Sequence, residues 1–111
     1  MQRRFKCVFW VYNAMSRRRR YLICYDIADA KRLRRTAKVC ESYGSRLQFS
    51  VFESSLDDLM LKKLQAELDS VINHSCDQIL FVDMGADDET TPLNIAFLGL
   101  PYLKRSRITI I

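Results

Sequence analysis

Glycine occurs three times and proline twice in 111 residues. That is too little for a collagen-like, proline-rich or broadly disordered chain, whose compositions cannot build or do not need a packed core. Histidine occurs once, at His74, which excludes an H-E-x-x-H metal site; a phosphate-cradling glycine-rich loop and a serine nucleophile elbow are also missing. No hydrophobic run is long. The most extended one, Cys7 to Met15, is too short to span a bilayer, and it is followed by four arginines rather than a small-residue cleavage site, unlike a secretory signal. The cysteines at 7, 24, 40 and 76 form no C-x-x-C pair, so a tetrahedral zinc site is not offered. Cys24 sits in an apolar run and Cys40 on an apolar helix face, where a free cysteine behaves as a small hydrophobe. Reduced thiols and a cytoplasmic location are the expectation.

What is present is a chain 49% hydrophobic and 28% charged, enough for one small domain. The net charge of +5 is unevenly spread. Residues 1–20 carry seven basic side chains and no acidic one, whereas the rest holds eleven basic and thirteen acidic side chains. The chain therefore divides into a basic N-terminal extension, 1–20, and a single domain, 21–111. Arg17, Arg18, Arg19 and Arg20 read as a solvated patch or arm, with polyanion binding as the functional alternative. Residues 1–14 have no clear partner face. The expectation is that they are a loosely held extension, or that Met15 is the start used in cells.

Tyr21-Leu22-Ile23-Cys24-Tyr25 reads as a buried strand stopping at Asp26. Asp29 is placed to cap a helix over about 30–43, which Gly44 ends. Leu33, Ala37 and Cys40 share one face of that helix, and Lys31, Arg32, Arg34, Arg35 and Lys38 spread over the other. From Arg46 to Glu53 the polar–apolar alternation slips at Val51-Phe52, predicting two short strands that meet at a bend. Ser55 with Asp58 resembles a capping box opening a second helix over about 56–73, with Leu61, Leu64, Leu68, Val71 and Ile72 on its core stripe. Ile79 to Val82 is a further strand, Asp87 to Pro92 an acidic loop, and Arg107 to Ile111 a terminal strand with nothing left in sequence to pair with. The fold class is α+β: a ferredoxin-like βαββαβ arrangement, two helices over one face of an antiparallel sheet, plus a C-terminal strand. The fold alone assigns no chemistry.

The one acid in a position that suggests chemistry is Asp26. A carboxylate at the end of an apolar strand is solvated by water, by a helix N-terminus or by a metal ion; otherwise it is a turn residue at the helix start. His74, near a helix end, reads as a cap or surface residue.

Tyr21-Leu22-Ile23-Cys24-Tyr25-Asp26-Ile27, Lys31-Arg32-Leu33-Arg34, Cys40, Tyr43-Gly44-Ser45-Arg46, Gln48 and Ser50-Val51-Phe52-Glu53 together resemble the CRISPR-associated protein 2 family, the small partner of the spacer-integrating enzyme in prokaryotic adaptive immunity. The resemblance covers about Tyr21 to Val82. It implies a ferredoxin-like homodimer whose C-terminal strand completes the partner's sheet, with Asp26 as the catalytic, Mg²⁺-binding residue at the dimer interface. It also implies nuclease action on single-stranded RNA or duplex DNA, or a bridging role that assembles integrase dimers and DNA. Leu80 and Val82 replace an Arg and a Tyr frequent in the family, and Ser54 replaces a frequent Cys. The expected role is a homodimeric nucleic-acid-binding component of the spacer-integration complex, with Arg17 to Arg20, Lys31, Arg32, Arg34, Arg35 and Lys38 on nucleic acid and no membrane partner. The alternative is a toxin-like endoribonuclease without an integrase partner.

Overall fold

The computed structural model describes residues 17–88 and 94–101. The N-terminal extension through Ser16, Cys7, and the expected terminal strand Arg107 to Ile111 lie outside them.

Six elements follow in the order β1 (Arg19–Asp26), α1 (Ala30–Glu41), β2 (Ser45–Gln48), β3 (Val51–Leu56), α2 (Asp58–Asp69) and β4 (Gln78–Ala86). The strands form one antiparallel sheet in the order β2-β3-β1-β4, the ferredoxin-like architecture expected. β1 alternates strictly: Tyr21, Ile23 and Tyr25 are buried, and the residues between them are half-exposed. Its neighbour β3 buries Phe52, Ser54 and Leu56 in the same rhythm. Period-two patterning of this kind covers only one face of a sheet.

That face packs against the helices. Ile23, Phe52, Leu56, Cys40, Leu64 and Leu68 form the core, with Leu33, Ala37, Met60 and Leu61 around it. Fully burying a side chain such as Phe52 contributes roughly 1.5–3 kcal/mol. Asp29 caps α1 by accepting a hydrogen bond from the Arg32 amide at 2.9 Å, as its position predicts. α1 ends at Glu41, earlier than expected, and Ser42 to Gly44 turn the chain through hydrogen bonds from the Tyr43 and Gly44 amides to the Cys40 carbonyl. Gly44 lies so close to β3 that a Cβ there would overlap the Glu53 carbonyl oxygen and the Ser54 hydroxyl. Only glycine lets the chain pass at this spacing.

The second helix starts later than the sequence suggests. Asp57, not Ser55, is its cap, accepting from the Met60 amide at 2.8 Å. Ser55 belongs to β3, and its hydroxyl hydrogen-bonds the Asp87 carboxylate instead. Val71 and Ile72 follow the helix in a turn, their amides bonded to the Leu68 carbonyl. β4 runs four residues past Val82 because the start of β1 extends back to Arg19, which pairs with Ala86. The phase slip near Phe49 to Val51 is the β2–β3 turn, and the register shifts between Arg46 and Gln48.

Candidate nucleic-acid interface and strand-end carboxylate

Two helices cover one face of the sheet, and among the described residues the other face is open. Cross-strand pairing sets Leu22 beside Val82 and Cys24 beside Leu80. On β4, Leu80, Val82 and Met84 remain 49%, 43% and 43% exposed. An open sheet face of this composition is unusual for a solitary small domain, because its apolar side chains face water.

Asp26 closes β1 at one end of that sheet, paired with Gln78 of β4 and solvent-exposed. The next residue turn leads directly into α1, whose start is fixed from below by Asp77. Asp77 accepts from the Ala28 amide at 2.9 Å, from the Asn73 amide at 2.8 Å, and from Arg32 Nε at 2.7 Å. Its side chain is completely covered. The Arg32 hydrogen bond, helped by these amides, holds the Asp77 carboxyl well below the usual carboxylate range against the opposing effect of burial.

The cationic residues singled out in the sequence separate into two groups. Arg18 Nη1 donates to the Ser55 carbonyl at 2.9 Å. Arg19 pairs with Asp83 at 2.9 Å and Arg20 with Asp87 at 3.0 Å, and Arg32 is held by Asp77. Arg17 is exposed ahead of β1. From Arg18 onward the run is thus tied to the sheet, to Ser55 of β3, Asp83 of β4 and Asp87 just beyond it. By contrast Lys31, Arg34, Arg35 and Lys38 are exposed, and none forms an ion pair among the described residues. Their spacing of i, i+3, i+4 and i+7 places them on one stripe of α1, spanning roughly 10 Å at 1.5 Å per residue.

Arg46 carries the resemblance noted in the sequence but receives no role there. It sits opposite Phe52 in the β2–β3 ladder, its guanidinium 5.2 Å from the Phe52 ring centroid and 5.8 Å from that of Phe49. Its Nε is buried without a hydrogen-bond partner among the described residues, and its Nη2 stands 3.9 Å from the Glu41 carboxylate. The signal in the sequence was an arginine at a core-facing position of an alternating strand. Tyr25, next to Asp26, is committed elsewhere: its hydroxyl donates to the Phe49 carbonyl at 3.3 Å, and burial pushes its pKa up, with Cys40 adding to the rise and Arg46 opposing it. His74 pairs with Asp69 on the surface at 3.0 Å.

A divalent ion was expected at Asp26. No group of three or more potential ligands gathers among the described residues, and Asp26 is exposed to solvent. Mg²⁺ retains several waters and binds through one or two carboxylates. The exposed Asp26 carboxylate is a hard oxygen donor of that kind. No helix among the described residues is long and apolar enough to cross a membrane.

The architecture defines a ferredoxin-like α+β protein with an exposed apolar row on β4, a strand-end carboxylate and a cationic helix stripe. Residues 19–91 match the family described as CRISPR associated protein Cas2, and the chain belongs to that family. A CRISPR-associated endoribonuclease Cas2 of Rhodospirillum rubrum is 48% identical over 60 residues, which are 54% of this chain and about half, 48%, of that protein's length. A Geobacter sulfurreducens endoribonuclease Cas2 is 35% identical over 72 residues, covering 65% of this chain and 76% of that one. Among solved structures, Streptococcus pyogenes Cas2 superposes with a TM-score of 0.59 at 30% identity, covering 69% of this chain and 99% of that one. A hypothetical protein from Thermus thermophilus gives a TM-score of 0.65 at 29% identity, over 78% and 96% of the two chains.

Proposed function

We propose that this chain is a homodimeric nucleic-acid-binding component of the CRISPR spacer-integration complex, partnering the spacer integrase, and that Asp26 from each copy forms a Mg²⁺-dependent endonuclease site. The observation that carries the binding role is the stripe Lys31, Arg34, Arg35 and Lys38, exposed on one face of α1 and without an ion pair among the described residues. Contacts of this type track phosphates without reading sequence and are strongly salt-dependent. The open face around Leu80 and Val82 supports dimerisation, since face-to-face packing of two copies removes its apolar side chains from water.

The nuclease role is supported by the names of relatives, endoribonuclease in Rhodospirillum rubrum and Geobacter sulfurreducens and endonuclease in Halalkalibacterium halodurans. A magnesium ion held by the paired carboxylates would stabilise charge developing on a scissile phosphate. Asp26 itself needs no movement to serve, because it is already exposed at the strand end. The substrate is a phosphodiester of single-stranded RNA or duplex DNA.

The test combines binding, sedimentation and cleavage. Reversing Lys31, Arg34, Arg35 and Lys38 to glutamate is expected to abolish duplex binding. Leu80→Lys with Val82→Lys is expected to shift the protein from dimer to monomer. Asp26→Asn is expected to remove Mg²⁺-dependent cleavage while leaving folding and DNA binding intact. Retained duplex binding by the reversed stripe overturns the binding role, and full cleavage by Asp26→Asn overturns the catalytic one.

A further inference from the structure

We propose that Phe49 is a stacking platform for an unstacked nucleobase, so that the end of the sheet carrying Asp26 engages single-stranded rather than duplex nucleic acid. The inference deepens the function proposed above and rests on it. Phe49 occupies the two-residue turn between β2 and β3 and is 69% exposed. Tight turns favour Gly, Asn, Asp and Ser for conformational reasons, and a phenylalanine exposed to this degree gains little from packing in its own domain.

The turn that carries the ring is nevertheless held in place. The Phe49 carbonyl accepts the Tyr25 hydroxyl at 3.3 Å, and the Tyr25 amide donates to the Ser50 carbonyl at 3.1 Å. Both bonds tie the turn to the last residues of β1, immediately before Asp26. The Arg46 guanidinium lies 5.8 Å from the ring centroid, covering only a part of a side chain that stays mostly in solvent. Arg46 also retains a polar shortfall, since its Nε lacks a partner among the described residues and its Nη2 stands 3.9 Å from the Glu41 carboxylate.

An exposed aromatic ring beside an arginine is the chemistry that single strands recognise. Bases stack on the ring whatever their identity, and the cation attracts the adjoining phosphate. A duplex offers no free base faces to such a platform. The stripe of α1 and the Phe49 turn therefore divide the work: the stripe follows phosphates of either form, and the turn selects an unpaired base near the carboxylate.

The experiment uses the full chain and an oligonucleotide carrying 2-aminopurine, presented single-stranded and annealed to its complement, with Phe49→Ala, Phe49→Leu and Phe49→Trp compared with wild type. Phe49→Ala and Phe49→Leu are expected to bind the single strand about ten-fold more weakly and to lose the stacking-dependent fluorescence quench. Phe49→Trp is expected to restore both, and duplex affinity should be unchanged throughout. Leucine binding as well as phenylalanine, or alanine within about twofold of wild type, overturns the platform. Wild type binding the duplex but not the single strand overturns the platform alone. Wild type binding neither overturns the proposed function with it.

Discussion

Arg32 and Asp77 lie 45 residues apart in sequence, and their side chains meet at 2.7 Å with the Asp77 carboxylate completely covered. The pair ties the start of α1 to the loop that leads into β4. Because the Ala28 and Asn73 amides bond the same carboxylate, the connection after Asp26 is fixed from three directions. Arg32 is therefore a structural member of the basic helix, and its neighbours Lys31, Arg34, Arg35 and Lys38 are the ones free to meet a ligand.

The Asp77 carboxyl has a depressed pKa in the folded protein, so its stabilising effect is present above the unfolded carboxylate value, about 3.9. That contribution is lost as pH falls through the folded value, because the unfolded chain binds the proton more readily. Asp77→Asn should lower the thermal midpoint at pH 7 and flatten the acid limb below about pH 4. Thermal melts from pH 7 to pH 2 check this; an acid limb identical to wild type would place the acid sensitivity elsewhere.

Gly44→Ala should destabilise the protein by about 2 kcal/mol or more, since the new methyl group overlaps the Glu53 carbonyl on β3. Urea denaturation measures the loss. Gly85→Ala makes a useful contrast: a Cβ there meets nothing within 4 Å, and its cost comes only from a φ of +101°.

The three cysteines among the described residues should label in order of exposure. Cys76 is exposed and Cys24 half-buried, whereas Cys40 is completely buried and burial pushes its thiol up to about 12. Iodoacetamide at pH 8 should modify Cys76 first and reach Cys40 only on unfolding. The same shift means that the contribution of Cys40 to stability is full below its ordinary value of 9.0 and is lost as pH rises towards 12. Early alkylation of Cys40 would contradict its place in the core.

Local signals made much of the fold legible. Asp29 before a half-apolar helix, Gly44 after it, and alternation in β1 and β3 each express a rule that acts within a few residues. What was not legible depends on partners distant in sequence. Arg19 and Arg20 read as free charge because Asp83 and Asp87 are more than sixty residues away. Ser55 resembled a helix cap until Asp87 claimed its hydroxyl. Thr36 is fully buried, its hydroxyl without a hydrogen-bond partner among the described residues, and nothing in its own sequence neighbourhood signals that burial. Asp26 was recognisable as the acid ending an apolar strand, but the exposed stripe of α1 emerged only once Arg32 was seen to be taken by Asp77.

The salt dependence of duplex binding tests the central claim most directly. Each phosphate neutralised contributes about 0.9 to the slope of log affinity against log salt concentration. In a dimer that presents both stripes to one duplex, Arg34→Ala removes two contacts and should reduce the slope by about 1.8, equally for unrelated sequences. Arg19→Ala, whose guanidinium is paired with Asp83, should leave the slope nearly unchanged. A slope unaffected by Arg34→Ala, or altered for one sequence only, would contradict the account.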